Sequence, residues 1–345
     1  MISVGILGGS GYTGKKLLQI CNSHPFVSEY KVYGLKSAGT LLSDIFPELI
    51  DIVVLDTKVE SMENISNSHD LYFVALPHGE ALKYVPSIIS NGKKVIDIGG
   101  DYRLDTKEEY EKWYGITHTS AELLNQKLYG LADYYGTKYS NVSLIANPGC
   151  YPTATLLGLL PFTAGFGDEI LSASTIAYSG TSGAGKTPKQ ELMMSEMDGD
   201  VSAYNINKHR HQPEILQFLK KSGFNSPFSF TTHLLPAAVG IYATTSVHLK
   251  NNVEEKSVKE YYKTFYENSQ FVRLRDVPPH MSWVVNTNYC DINISIKDKV
   301  MIITSTIDNL IKGASGQAVQ NMNKLYGLEE GLGIKSQGAK HVSVY

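Results

Sequence analysis

The sequence has few cysteines, no long apolar run and no large excess of either charge. Its three cysteines, Cys21, Cys150 and Cys290, are far apart and odd in number, which argues against a disulfide framework and against paired zinc ligands. No apolar segment approaches the roughly 20 residues of a membrane span, and Met1 leads into an apolar strand without a basic signal-peptide region. We therefore expect a cytoplasmic protein with reduced thiols, no metal and no membrane contact.

The small net charge narrows the choice of partners. A formal net charge of −3 and a pI near 6.4, without a cluster of lysine and arginine, argue against a nucleic-acid-binding surface. Small molecules are therefore the expected ligands. At 345 residues the chain is too long for one ordinary core, and its hydrophobic content of 42% is sufficient to build two domains.

The first half of the chain alternates short apolar runs with helical patterns, which is typical of a doubly wound, Rossmann-type α/β domain. The predicted strands are residues 2–7, 30–35, 71–75, 95–98 and 142–146, and the predicted helices are 13–21, 80–90 and 107–113. After Cys150, longer β-rich runs indicate an α+β domain with a mixed or antiparallel sheet. Its predicted strands are 172–178, 229–235, 240–249, 289–296 and 300–308, with helices at 213–221, 253–266 and 314–326.

A glycine-rich segment follows the first predicted strand and opens the first helix, which is the context of a dinucleotide-binding fingerprint. The backbone N–H groups of such a helix start can bind a pyrophosphate. The residues of this predicted site are Gly8, Ser10, Gly11, Tyr12, Thr13 and Gly14.

The end of the second predicted strand indicates which dinucleotide binds. The acidic residue that holds the ribose of NAD is missing there, and Lys36 and Ser37 offer a cation and a hydroxyl to a 2′-phosphate. We therefore predict NADP rather than NAD. Pro77 and His78, after the third predicted strand, are further candidates for contact with the cofactor.

Cys150 lies where a predicted strand gives way to a predicted helix, within Asn147-Pro148-Gly149-Cys150-Tyr151-Pro152. A thiol at a helix N-terminus is stabilised as the nucleophilic thiolate by the free N–H groups and the helix dipole. A redox-sensing thiol is an alternative, but sensors commonly keep a second cysteine nearby. We predict a catalytic nucleophile.

A second phosphate-binding pattern competes with the first. The segment 180–187, with Lys186 and Thr187 at its end, satisfies the P-loop pattern and follows a predicted strand. It would make the chain a P-loop ATPase or kinase. Against this, the segment lies in the β-rich half, and no later strand ends in an evident magnesium-binding Asp.

Two histidines flank an arginine just before a predicted helix start at Pro213. Imidazole titrates near neutral pH, so His209 or His211 is the expected acid–base partner of the thiol. Arg210 could clamp an anion in bidentate fashion or pair with an acidic neighbour. His78 and His233 are secondary candidates.

In this order, the motifs resemble those of the N-acetyl-gamma-glutamyl-phosphate reductases, a family of the semialdehyde dehydrogenase superfamily. The matching segments span nearly the whole chain: 8–14, 76–79, 147–153, 179–185, 209–211, 308–314 and 317–323. The resemblance implies reduction of an acyl phosphate to an aldehyde in arginine biosynthesis, with NADPH as hydride donor and Cys150 as nucleophile. It also implies that the P-loop-like segment is an active-site loop near the thiol and the nicotinamide.

The resemblance also assigns further residues and boundaries. An NADP-binding domain is expected at residues 1–148 with 313–345, and a catalytic domain at 149–312. The second half contributes to cofactor binding through Ser179, Gly180, Ser182, Gly183 and Asn309, and the expected substrate contacts are Asn147, Arg103, Arg210 and Ser182. The expected partners are the acyl phosphate and further copies of the chain, as a homodimer or homotetramer.

Two segments depart from the family pattern. Val239 occupies a position where relatives carry arginine, and Gly99-Gly100 replaces Ser-Ala before Asp101. A lost guanidinium alters anion recognition, so the identity of the acyl group stays open. N-acetylglutamyl, N-succinylglutamyl, carrier-linked aminoadipyl and aspartyl phosphates are the alternatives.

Overall fold

The computed structural model describes residues 1–49, 57–134 and 138–334. Within them the chain forms two compact units. The first contains residues 1–132, 138–148 and 314–334, and the second contains 133–134 and 149–313. No helix in this described part is long and apolar enough to cross a membrane.

The first unit is built on a parallel sheet. Its strands are β1 (Ile2–Leu7), β2 (Val27–Gly34), β3 (Glu60–Ser61), β4 (Leu71–Val74), β5 (Lys94–Asp97), β6 (Leu128–Tyr129) and β7 (Leu144–Ala146). Among the described residues they pair in the order β3-β2-β1-β4-β5-β7-β6, and all of these pairs are parallel. β4 and β7 are buried along their whole length, as expected for strands covered by helices on both faces.

The helices between these strands are α1 (Tyr12–Ser23), α2 (Leu42–Ile45), α3 (Ala81–Ser90) and α4 (Lys107–Tyr114). The strand order reverses at β1, which pairs with β2 on one side and β4 on the other. Ligands of doubly wound sheets bind at the carboxyl ends of strands beside such a point. The glycine-rich segment follows β1 directly and therefore lies at this end of the sheet.

The second unit contains a long helix and a mixed sheet. Its helices are α5 (Cys150–Phe166), α6 (Met194–Met197), α7 (His211–Lys221) and α8 (Glu255–Phe265). Its strands are β8 (Ile170–Ser179), β9 (Ser202–Tyr204), β10 (Phe228–Leu234), β11 (Ile241–Leu249), β12 (Val272–Arg275), β13 (Cys290–Lys297) and β14 (Val300–Ile307). In the described residues the sheet order is β12-β13-β14-β11-β8-β10-β9.

Helix α5 is the centre of this unit. All residues from Tyr151 to Thr163 are buried, because α5 packs against β11 and β14 as well as α7 and α8. Residues of β11 alternate between buried and partly exposed up to His248, so within the described residues one face of the sheet meets the helices and the other does not. After β14 the chain forms a π-helix (Ile311–Ser315) that leads into α9 (Gly316–Leu325).

The predicted fold class is confirmed, and each predicted strand and helix is present with ends shifted by a few residues. The strand predicted at 142–146 begins only at Leu144, because Asn141 turns the chain with a φ of 58°. The prediction missed β3, β6, β9 and β12. These strands have two to four residues, too few to show a period.

Candidate active site

Cys150 is the first residue of α5, as predicted. The N-cap residue Gly149 is extended, with φ −65° and ψ 159°, and has no side chain to bond the first-turn N–H groups. Cys150 is partly exposed, whereas Cys21 and Cys290 are buried. Burial raises the pKa of Cys21 to about 12 and raises that of Cys290 as well. Among the three thiols, Cys150 therefore has both the exposure and the helix position that a nucleophile needs.

A buried carboxylate supports the turn that leads to Cys150. Glu214, in the first turn of α7, is completely buried, and its Oε1 accepts a hydrogen bond of 2.8 Å from the backbone N–H of Gly149. Sequence reasoning missed this residue. Its only signal was an acidic residue just after Pro213 at a helix start, which is common without any functional role.

The two predicted histidines lie beside the residue that follows the thiol. The ring of Tyr151 has centroid distances of 5.4 Å to His209 and 5.9 Å to His211, both nearly edge-on. The two imidazole centroids are 4.8 Å apart. The fold therefore brings the helix that begins at Cys150 and both acid–base candidates together within the second unit.

The environment of His209 keeps it neutral. Its Nδ1 accepts a hydrogen bond of 3.1 Å from the backbone N–H of His211, which leaves the proton on Nε2 in the neutral ring. Burial, with a smaller effect of the neighbouring Arg210, lowers the pKa of His209 to about 4. At neutral pH His209 is therefore an uncharged hydrogen-bonding group.

Two tyrosine hydroxyls lie near the thiol, and sequence reasoning identified neither. Tyr204, on β9, donates a hydrogen bond of 3.0 Å to the hydroxyl of Tyr151. Burial raises the pKa of both hydroxyls, that of Tyr204 to about 12, and the charge of a Cys150 thiolate contributes in the same direction. Both tyrosines therefore remain protonated as hydrogen-bond donors at neutral pH.

The P-loop alternative is wrong. A P-loop opens a helix at its Lys-Thr end, but here Thr181–Ala184 forms a single 3₁₀ turn, Lys186 is exposed, and the next α-helix in the described residues is the four-residue α6. The turn is hydrogen-bonded to a neighbouring loop instead. The N–H groups of Thr181 and Ser182 donate to Ala237 and Ala238, at 2.8 and 3.0 Å.

Asn309 connects the 3₁₀ turn Thr181–Ala184 to the loop between β10 and β11. Its amide Nδ2 donates to Ser182 Oγ at 3.0 Å, and its Oδ1 accepts from the N–H of Gly240 at 2.7 Å. The remaining predicted cofactor residues of this unit, Ser179, Gly180 and Gly183, lie at the end of β8 and in the 3₁₀ turn. A Cβ at Gly180 would lie 2.7 Å from the backbone nitrogen of Val239, so glycine is needed for this close approach.

The glycine-rich segment after β1 fits a dinucleotide. Gly11 is the N-cap of α1 without a side-chain cap, and the first turn contains no acidic residue, so its N–H groups and positive dipole suit a pyrophosphate. Gly8 has a φ of 82°, and a Cβ there would lie 2.3 Å from the Ala75 carbonyl oxygen. A Cβ at Gly14 would lie 2.3 Å from the Gly9 carbonyl oxygen.

The predicted 2′-phosphate contacts also lie at the carboxyl end of the sheet, just after β2. Lys36 is exposed. The hydroxyl oxygen of Ser37 is buried and has no hydrogen-bond partner among the described residues. Pro77 and His78 are exposed in the loop after β4. These positions suit a bound nucleotide.

Of the predicted substrate contacts, Asn147 and Arg103 are buried and Arg210 is exposed. Asn147 is completely buried, its Nδ2 donates to the Ala314 carbonyl at 3.2 Å, and its Oδ1 accepts from Asn321 at 3.0 Å. This arrangement does not support the predicted substrate contact of Asn147, because both polar atoms of its amide already have partners. Buried Arg103 donates to the Asn147 carbonyl at 2.9 Å, while Arg210 is exposed at the start of α7.

The chain matches two protein-family models. They are the NAD binding domain of semialdehyde dehydrogenase, over residues 3–141, and its dimerisation domain, over residues 150–309.

No group of three or more His, Cys, Asp or Glu in the described residues could hold a metal ion.

Curated relatives cover nearly the full length. The N-acetyl-gamma-glutamyl-phosphate reductase of Dehalococcoides mccartyi (strain CBDB1) is 41% identical, over 96% of this chain and 97% of that protein. The enzyme of the same name from Chlorobaculum tepidum is 40% identical, over 95% of this chain and 96% of its own. Among solved structures, aspartate semialdehyde dehydrogenase II from Vibrio cholerae has a TM-score of 0.73 at 16% identity, over 95% of this chain and 99% of that one. That likeness shows the fold.

Proposed function

Since this chain belongs to the semialdehyde dehydrogenase family and is an oxidoreductase of the N-acetyl-gamma-glutamyl-phosphate reductase type, we propose that it reduces N-acetyl-gamma-glutamyl phosphate through a Cys150 thioester, with NADPH as hydride donor. The observation that carries the proposal is the placement of Cys150 at the open N-terminus of α5 beside His209 and His211. The product is N-acetylglutamate 5-semialdehyde, an intermediate of arginine biosynthesis.

The Cys150 thiolate attacks the acyl carbon, a C–S bond forms, and the C–O bond to the phosphate breaks with release of inorganic phosphate. The reduced nicotinamide cofactor, when bound, supplies the hydride that reduces the thioester carbon. The resulting hemithioacetal oxyanion collapses as the C–S bond breaks, which returns the thiolate and releases the aldehyde, while the proton that the departing phosphate takes up comes from the acid–base histidine. First-turn N–H groups of α5 are suited to stabilise the oxyanion in both tetrahedral states.

We assign the acid–base role to His211. A group that exchanges protons at neutral pH needs a pKa near that pH, and the pKa of His209 is lowered to about 4. His209 instead accepts a hydrogen bond at Nδ1 from the backbone N–H of His211, and so helps to fix the start of α7. Glu214 fixes Gly149 from the first turn of the same helix.

Cofactor binding and the covalent chemistry are assigned to different units. We assign cofactor binding to the first unit, residues 1–132, 138–148 and 314–334, and the covalent chemistry to residues 149–313 of the second, so that Gly313 moves from the predicted NADP-binding domain to the catalytic one. We also propose a cytoplasmic location, because the three cysteines are free thiols and thiols stay reduced in the cytoplasm.

The reverse reaction tests the function. Purified protein incubated with an aldehyde, NADP and phosphate should form NADPH, and arsenate should replace phosphate. N-acetylglutamate semialdehyde is expected to give the highest kcat/KM in a panel with the N-succinyl, carrier-linked aminoadipyl and aspartyl aldehydes. A higher value for another member would keep the reaction class and change the substrate.

Preference for NADPH provides a separate prediction. We expect Lys36→Glu to raise the KM for NADPH about tenfold or more and that for NADH less than twofold, because a charge-assisted hydrogen bond to the 2′-phosphate is lost. Initial rates at varied cofactor concentration measure both constants. Lys93→Glu, at the opposite end of the sheet just before β5, is the control. Equal turnover of the wild type with NADH and NADPH would contradict the assignment.

Self-association is predicted through the sheet face that the helices leave open. Ile176 on β8 is 43% exposed there, and an oligomer of identical chains would bury it. Ile176→Lys should weaken association about tenfold or more, as measured by light scattering over a dilution series. Val277→Lys, at a loop residue that is 57% exposed, is the control. A wild-type protein that is monomeric at micromolar concentration would rule out the homodimer and the homotetramer.

A further inference from the structure

Gly313 lies directly against the nucleophile. A Cβ built at this position would be 2.7 Å from the Cβ of Cys150 and 3.1 Å from its Cα. Carbon atoms do not pack at the shorter distance, since unbonded carbons are normally about 3.5–4.0 Å apart. The backbone of Gly313 therefore occupies the space beside the first residue of α5, and no side chain fits between them.

The backbone around Gly313 is held by Asp308. The Oδ1 atom of this residue accepts the N–H groups of Leu310 and Ile311, at 2.8 and 2.9 Å, and its carbonyl accepts the N–H of Gly313 at 2.9 Å. Its Oδ2 accepts the N–H of Asn286 at 2.7 Å. Gly313 lies in the π-helix, a rare geometry that is frequently found at functional sites.

The neighbouring Lys312 fixes the π-helix from its other side. Its ammonium forms an ion pair with Asp133, and both side chains are completely buried. Ser269 donates to the other carboxylate oxygen at 2.7 Å, and the ammonium lies 5.3 Å from the centroid of the Phe271 ring. An ion pair without solvent depends on fixed geometry, so Lys312 and Gly313 have little freedom to move.

We propose that Gly313 is a positioning residue for the reaction: its bare backbone, held by Asp308 and by the Lys312–Asp133 pair, sets the position of the Cys150 thiol. The inference rests on the proposed role of Cys150 as nucleophile. Gly313 lies against the cysteine, so its effect passes through the orientation of the thiol. A displacement of the order of 1 Å at a reacting atom can lower a rate about 100-fold.

Gly313→Ala is the test. We expect kcat to fall about 100-fold. The Kd for NADPH should stay within about twofold of the wild type, because the glycine-rich segment proposed to bind the nucleotide does not include the thiol. Alkylation of Cys150 by iodoacetamide should slow about tenfold, since the added methyl displaces the thiol and covers one side of it. The control is Gly165→Ala, near the other end of α5, where the Cβ would lie 2.7 Å from the Tyr261 ring. It should keep kcat and the alkylation rate.

A second pair of variants covers the case in which Gly313→Ala does not fold. Cys150→Gly removes the Cβ that the new methyl meets at 2.7 Å and leaves the contact with the Cα at 3.1 Å, so Gly313→Ala should be soluble in that background and should lower Tm less than it does in the wild type. Failure of the double variant to fold would overturn the proposal, as would wild-type kcat and alkylation in a folded Gly313→Ala. Alkylation reports on the thiol itself. Slow alkylation of Gly313→Ala would therefore support the positioning role even if Cys150→Ser turned out to be active and the covalent route failed.

Discussion

Cys150→Ser is expected to lower kcat by a factor of about 10⁴ or more while the Kd for NADPH stays within about twofold. A serine hydroxyl at the same helix start stays protonated at neutral pH, and a helix dipole shifts a pKa too little to ionise it. Without a nucleophile the acyl phosphate has no route to a thioester. Cofactor affinity should be retained, because the glycine-rich segment belongs to the other unit.

Steady-state kinetics and NADPH fluorescence titration measure the two quantities. Cys21→Ala is the matched control, since this thiol is buried in α1 and should be replaceable with kcat within about twofold. Intact-mass analysis adds a direct observation: wild-type protein given the acyl phosphate without cofactor should gain the mass of the acyl group, and Cys150→Ser should not. A Cys150→Ser variant that keeps a tenth of the wild-type kcat would rule out the covalent route.

His211→Asn is expected to lower kcat about 10²- to 10⁴-fold, the usual loss when a general acid–base group is removed. His209→Asn should have a smaller effect, within about tenfold, because asparagine can still accept the N–H of His211 through its amide oxygen. Both histidines contact the ring of Tyr151. Each variant therefore loses a similar packing contact and serves as the control for that loss in the other variant.

The pH dependence separates the two roles further. The pKa of His209 is lowered to about 4, so this group is neutral at all pH values well above 4 and causes no change of rate between about pH 5.5 and 8. An inflection of kcat/KM in that range should persist in His209→Asn and disappear in His211→Asn. Loss of the inflection in His209→Asn alone would transfer the acid–base role to His209.

The strands, the helices and the location of the thiol could be predicted from the sequence because each depends on residues close together in the chain. Alternating apolar runs identify strands, and a strand followed by glycines and a helix identifies the nucleotide segment. Cys150 follows the same logic, since Pro148 and Gly149 form the bend before it. Short strands such as β9 escaped because three residues carry no period.

The supporting residues could not be predicted, because their roles depend on contacts between distant parts of the chain. Glu214 bonds Gly149 from 65 positions away, and no local pattern distinguishes it from an ordinary acidic residue at a helix start. The contact of Gly313 with Cys150 is even more remote in sequence. Asn147 was expected to face the substrate, but the fold closes its amide against Ala314 and Asn321.

The sequence by itself determined the α/β architecture, the helix start at Cys150 and the strand–glycine–helix arrangement of residues 1–23, since short-range periodicity, glycine conformation and helix-end electrostatics act within a few residues. The tertiary structure alone decided which of two glycine-rich loops opens a long helix, which histidine is kept neutral, and what packs behind the thiol. Those outcomes depend on burial and on hydrogen bonds between distant segments, and these arise only when the chain is folded.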